Sequence, residues 1–167
     1  MIYIGIDLGG TGIKAGAVDK NGNIFHKDSC STGVERGYEA VIRDMALLAQ
    51  QVVKDSGHVL SEVKSIGIGI PGIIDPKSGR IPFCTNLHWH DVPILDEMHK
   101  YIDVPVYVDN DATVAGLAES VVGVSAGAAN SVFITLGTGV GGGVIINGKV
   151  FSGAHGVATE IGHMTTV

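Results

Sequence analysis

Apolar and polar positions alternate from the start of the chain. Ile2, Ile4 and Ile6 interleave with Tyr3, Gly5 and Asp7, the period of two of a half-buried strand. A glycine turn follows at Gly9-Gly10-Thr11-Gly12, then a second strand from Ile13 to Val18. Asn21-Gly22 reads as a hairpin turn, and Asn23-Ile24-Phe25 as a third strand. After a turn over Gly33 to Gly37, the period changes. Val41, Met45, Leu48 and Val52 recur at helical spacing, which predicts a helix over Tyr38 to Lys54 with Gly57 as its stop. Ser65 to Ile70 alternates again, as a strand that leaves the sheet at Pro71-Gly72. Residues 75 to 93 carry loop signals (Asp75-Pro76, Ser78-Gly79, Pro82, Asn86, Pro93), with Phe83 and Trp89 expected to pack the loop down.

Ile94 to Tyr101 predicts a short helix, and Val104 to Val108 a strand with Pro105 near its start. Asp109-Asn110-Asp111 opens a helix from Ala112 to about Val122, with Val114, Leu117 and Val121 expected on its buried face. Gly123 to Ala129 is a connection. Then the N-terminal pattern returns: strand Val132 to Leu136, glycine turn Gly137 to Gly143, strand Val144 to Ile146, Asn147-Gly148, strand Lys149 to Phe151. Asn21 and Asn147 fall at matching places, so the long period predicts duplicated domains rather than a solenoid. Residues 1–122 are expected to form one lobe and 123–167 the beginning of a second.

Glycine turns of this kind let backbone N–H groups approach a ligand closely, and successive N–H groups can form a nest for a phosphate. The plainer reading is a tight hairpin that uses glycine for geometry. Neither turn is a Walker A loop, since no Gly-Lys-Ser/Thr follows. Neither is a dinucleotide fingerprint, since a strand and not a helix comes next.

Composition narrows the classes. The 167 residues are 45 % hydrophobic with a formal net charge of −6. That charge gives no electrostatic footprint for nucleic acid. No apolar run reaches the ~18 residues of a membrane span, and no secretory signal precedes the first strand. Cys30 and Cys84 are expected to be free thiols in a cytoplasmic protein.

Several side chains could carry chemistry. Asp111 sits in the first turn of a predicted helix after a strand end. There it is either a dipole-favoured acid behind an Asn110 cap or part of an Asn-Asp pair facing a substrate hydroxyl, since ligands bind at strand ends in open α/β sheets. Asp7 is a candidate magnesium ligand, or a strand-end residue capping its turn. Glu160 and His163, three apart, would share one face of a helical turn. They could bind polyol hydroxyls, or His163 could ligate a metal. His26, His58, His88, His90, His99 and His155 are expected on the surface or in loops.

The ordered set Asp7-Leu8-Gly9-Gly10-Thr11, Pro71-Gly72, Asn86-Leu87 with Trp89, Asn110-Asp111-Ala112, Leu136 to Gly143 and Glu160-Ile161-Gly162-His163-Met164 resembles the N-terminal half of a ROK-family sugar kinase. It is similar to the bacterial ATP-dependent glucokinases. The resemblance implies an α/β chain of the actin-like ATPase (ribonuclease H-like) fold, with one complete lobe plus the start of a second. It implies phosphorylation of a hexose, glucose being expected, at the 6-hydroxyl, with Asp111 as general base. Gly72, Asn86, Asn110, Glu160 and His163 would hold the sugar. Asp7, Gly9, Gly10 and Thr11 would line the phosphate and Mg²⁺ side, and Gly137, Thr138 and Gly139 would cradle ATP. In the family His163 also ligates zinc, beside a downstream cysteine cluster that lies beyond Val167. Zinc is therefore not expected in this chain, and the chain itself is expected to be inactive. A homo-oligomer, a dimer, is expected, with residues 130–167 either forming its interface or disordered, and no nucleic-acid or membrane partner. The repressor branch carries a DNA-binding motif before the first strand, which is not seen here. A non-catalytic sugar-binding or regulatory module, or an inactive kinase fragment, is the alternative. The Glu160-Ile161-Gly162-His163 block argues against acetate-type or chaperone ATPases of the same fold.

Overall fold

The computed structural model describes residues 1–75, 78–137, 139–154 and 156–163. The chain forms two compact units, Met1–Asp109 and Asn110–Val167. In chain order the first contains β1 (Ile2–Leu8), β2 (Gly12–Val18), β3 (Ile24–Ser31), α1 (Tyr38–Asp55), β4 (Val63–Ile70), β5 (Ile81–Cys84), β6 (Trp89–Val92), α2 (Ile94–His99) and β7 (Val106–Asn110), whose last residue opens the second unit.

Its main sheet has the order β3-β2-β1-β4-β7, with β1 antiparallel to β2 and parallel to β4. The period of two does what the sequence predicts: Ile2, Ile4, Ile6 and Leu8 are all buried on one face. Ile13, Ala15 and Ala17 of β2 and Ile66, Ile68 and Ile70 of β4 join the same core. Helix α1 contributes Val41, Ile42, Met45, Leu48, Ala49 and Val52 to it. Each Val, Leu, Ile or Met side chain among them stabilises by about 1.5–3 kcal/mol when fully buried. The helix starts after Gly37, whose φ of 83° suits glycine, and stops at Gly57, whose N–H donates to the Lys54 carbonyl.

Residues 75 to 93 depart from the expected loop. β5 and β6 pair antiparallel as a two-stranded sheet, with Phe83 opposite His90 and Cys84 opposite Trp89. Adjacent residues on a strand face opposite ways, so Trp89 is buried at 3 % exposure while Phe83 stands half exposed against His90. Of the two aromatics Trp89 anchors the segment, together with the buried Ile81, Cys84, Leu87 and Val92. Strand β7 starts one residue after Pro105, which has no N–H for a ladder.

The second unit contains α3 (Asp111–Val121), β8 (Asn130–Leu136), β9 (Val140–Ile146) and β10 (Lys149–Val150), an antiparallel sheet of order β10-β9-β8. Strand, glycine turn, strand, Asn-Gly turn, strand recurs as the repeat predicts. Two expectations are corrected. Val114, Leu117 and Val121 do not form the buried face of α3; Ala112, Thr113 and Gly116 do. The glycine run is not all turn either, because Gly141, Gly142 and Gly143 lie inside β9. One contact explains both: a Cβ on Gly116 would stand 3.1 Å from the Gly143 Cα and from the Phe133 Cβ. The helix lies so close to the sheet that only small residues fit between them. On the opposite face, Val132, Ile134 and Leu136 are exposed.

Candidate functional site

In the first unit the β1–β2 turn is closed by the Gly9 N–H donating to the Gly12 carbonyl at 2.9 Å. Thr32, fully buried at the end of β3, clamps it from beside. Its hydroxyl donates to the Gly9 carbonyl at 2.7 Å and its N–H to the Thr11 carbonyl at 3.2 Å. Asp7 stands at the lip of this turn, opposite Lys14 on β2, with Lys14 Nζ 3.5 Å from Asp7 Oδ2. The Asn86 carbonyl lies 3.4 Å from where a Gly10 Cβ would be. Gly72, at φ 104°, leaves no room for a side chain: a Cβ would meet the Phe83 carbonyl at 3.0 Å and the Cys84 Cβ at 3.2 Å. The first unit thus gathers Asp7, Gly9, Gly10 and Thr11, with Asn86 beside Gly10 and Gly72 against the strand leading to Asn86.

In the second unit Asn110 is the N-cap of α3. Its Oδ1 accepts from the N–H groups of Ala112 at 3.0 Å and Thr113 at 3.1 Å, satisfying two of the helix's orphan donors. Asp111 is the first helical residue, and its Oδ1 accepts from the Ala112 N–H at 2.8 Å. Two residues further, the Thr113 and Thr159 hydroxyls meet at 3.3 Å, both buried. That bond ties α3 to the turn that follows, in which Glu160 Oε2 lies 3.5 Å from His163 Nε2. The second unit thus brings Asn110, Asp111, Glu160 and His163 onto one helix start and the turn bound to it. At the other glycine turn the Gly137 N–H donates to the Gly139 carbonyl at 2.9 Å, and a Cβ on either glycine would meet nothing within 4 Å. Neither glycine is required by local packing. Thr138, His155 and Met164 lie outside the described residues.

The sequence reading missed Thr32, Thr113 and Thr159. Their partners lie 23 and 46 residues away along the chain, so spacing carries no signal for them.

Residues 3–167 match the profile of the ROK family. The chain belongs to the ROK family. ROK-family relatives include the glucokinase of Halalkalibacterium halodurans, 38 % identical over 99 % of this chain and 50 % of that protein. The xylose repressor of Caldicellulosiruptor bescii is 33 % identical over 97 % of this chain and 41 % of that protein. Among solved structures, a ROK family glucokinase from Streptomyces griseus in complex with glucose and AMPPNP aligns with a TM-score of 0.89. It is 35 % identical, over 100 % of this chain and 51 % of that one. The chain spans about half the length of the curated relatives it matches. The fold is the α/β, actin-like ATPase fold of these ROK kinases, with the central five-stranded sheet as the body of one lobe.

The donor chemistry separates two metals. Asp7 offers a hard, exposed carboxylate beside a glycine turn, which suits Mg²⁺ shared with phosphate oxygens and water. Zinc closes a structural site with four protein ligands. Glu160 and His163 are two, and among the described residues no group of three or more His, Cys, Asp or Glu side chains could hold a metal. By themselves Glu160 and His163 supply two of the four protein ligands that a closed zinc site takes. Among the described residues no helix is long and apolar enough to cross a membrane.

Proposed function

We propose that this chain supplies the sugar-binding and first phosphate-binding parts of an ATP-dependent hexose kinase. The reaction moves the γ-phosphoryl group of ATP to the 6-hydroxyl of a hexose, with glucose as the expected substrate. One observation carries the reading: the Asp111 carboxylate sits at the start of α3, and the Thr113–Thr159 bond fixes the Glu160–His163 pair to that same helix. A carboxylate, an imidazole and an amide around one helix start suit a polyol, whose hydroxyls both donate and accept.

In the mechanism Asp111 orients the attacking hydroxyl and takes its proton. A largely dissociative transition state asks little more of a base. In the second unit Asn110, Glu160 and His163 are the proposed contacts to other sugar hydroxyls; in the first unit the family resemblance gives that role to Asn86 and the Gly72 backbone. The turns at Gly9–Thr11 and Gly137–Gly139 receive phosphate oxygens through backbone N–H groups, for which bare glycines leave access. Mg²⁺, held by Asp7, would neutralise charge on the transferring phosphate. The similarity to glucokinases supports the catalytic reading.

A non-catalytic sugar-binding or regulatory module is the second reading, supported by the similarity to a xylose repressor. Calorimetry with glucose and then with Mg-ATP, followed by a coupled phosphorylation assay over a hexose panel, separates them. In a full-length version of the kinase, binding of both ligands with turnover of at least one hexose is expected. Sugar binding with neither ATP binding nor turnover would favour the module. We further propose a cytoplasmic location and a homodimer.

A further inference from the structure

The glycine run after β8 has two halves with different surroundings. In the turn, a Cβ on Gly137 or Gly139 would meet nothing within 4 Å, which leaves the backbone there open to a ligand. Inside β9 the space beside each glycine is taken. A Cβ on Gly141 would stand 2.9 Å from the Ala112 Cβ, and one on Gly143 3.0 Å from the Ala112 carbonyl. Both positions meet the first turn of α3, the helix that begins at Asp111. Gly142 meets a different element. A Cβ there would stand 3.0 Å from the Thr159 carbonyl and 2.6 Å from the Ile161 Cδ1, and those two residues flank Glu160. Gly162, between Glu160 and His163, leaves no room for a side chain against the Val140 carbonyl. Alternate positions of β9 thus take the two elements that carry the candidate sugar contacts: Gly141 and Gly143 take α3, Val140 and Gly142 the turn.

One bond joins those two elements directly. Thr113 on α3 and Thr159 on the turn are 4 % and 6 % exposed, and their hydroxyls lie 3.3 Å apart. Apolar packing on β9 is non-directional, whereas a hydrogen bond restricts angle as well as distance. A hexose touched by both elements depends on their relative placement, since a displacement of about 1 Å at a reacting group can cost ~10²-fold in rate.

We propose that Gly142, Thr113 and Thr159 are positioning residues for the hexose. Gly142 seats the Glu160–His163 turn on β9, and the threonine pair locks that turn to the helix of Asp111. The glycine run then serves the nucleotide only at Gly137–Gly139, and its second half serves the sugar. This rests on the reading of Asp111, Glu160 and His163 as hexose contacts. The competing roles are a phosphate cradle along the whole run and a threonine pair that contributes to stability alone.

The test is calorimetric titration of a full-length version of the kinase with glucose, with KM for glucose and for ATP measured in parallel. The variants are Gly142→Ala, Thr159→Val, Thr159→Ser and the double change Thr113→Val/Thr159→Val, and thermal unfolding of each reports the fold. Gly142→Ala and Thr159→Val should each weaken glucose binding by about tenfold, the scale of one lost hydrogen bond. KM for glucose should rise with it and KM for ATP should not change. Thr159→Ser should restore most of the affinity. The double variant leaves no buried hydroxyl unpaired, so its unfolding midpoint should return toward wild type while its glucose affinity stays low. The proposal is overturned if Gly142→Ala raises KM for ATP instead, if the double variant regains glucose affinity along with its stability, or if wild type binds no glucose. Glucose binding that depends on Thr159 without turnover would keep the proposal and remove the kinase reading. Hexose turnover indifferent to Gly142 and Thr159 would do the reverse.

Discussion

Asn110 carries a structural duty that its proposed sugar contact must share. Its Oδ1 accepts two N–H groups of α3, so the cap and the ligand-facing role are not alternatives for the residue as a whole. Asn110→Ala should destabilise the protein by about 1 kcal/mol, the usual worth of an N-cap, and Asn110→Asp should keep that stability. Urea unfolding measures both, and an Asn110→Ala variant as stable as wild type would remove the cap from the account. Thr32→Val keeps the shape but deletes the donor to the Gly9 carbonyl. A cost of about 1–3 kcal/mol is expected, with faster amide exchange localised to residues 9–12. The positions of Asp7 at a strand end and Asp111 in a first helical turn were legible from strand and helix-start signals, whereas Asn86 entered only through the family resemblance. The threonines were not legible, because a hydroxyl's value depends on a partner that only the fold brings near.

At the scale of elements, regular patterns were read well and close approaches were not. The alternation of β1 and the spacing of α1 arise from burial against a thick aliphatic core, and both stand as predicted. Helix α3 defeated the same rule, because its contact with β9 runs through Gly116 and Gly143 and leaves Leu117 and Val121 outside. Gly143→Val should therefore destabilise by about 1–3 kcal/mol through overpacking, whereas Val121→Ala should change stability by less than about 0.5 kcal/mol. Chemical denaturation of the two variants decides it. The β5–β6 hairpin has its own pH dependence. A hydrogen bond from Arg80 Nε holds the Asp91 carboxyl below the usual carboxylate range. A lowered folded value means the contribution is present above the unfolded value of about 3.9 and fades as pH falls through the lower folded one. With Asp91 largely and Arg80 partly open to solvent, the pair gives a small effect. The Asp91 carboxyl carbon, followed by NMR, should titrate at higher pH in Arg80→Met than in wild type; coincident curves would contradict the assignment.

At the scale of the molecule, the second unit leaves Val132, Ile134 and Leu136 exposed along one strand, with Leu136 79 % exposed. An apolar strand face of this kind invites association. Light scattering should show concentration-dependent self-association of the 167-residue chain, weakened in Val132→Lys/Ile134→Lys; a wild type that stays monomeric across the range would contradict this. The whole functional account, though, turns on Asp111. Its most direct test is the turnover of Asp111→Ala in a full-length version of the kinase with Mg-ATP and glucose, alongside calorimetric glucose affinity. Removal of the group that orients and deprotonates the hydroxyl should lower kcat by roughly 10²–10⁴-fold while glucose affinity changes only modestly. A variant that keeps most of its rate would contradict the account.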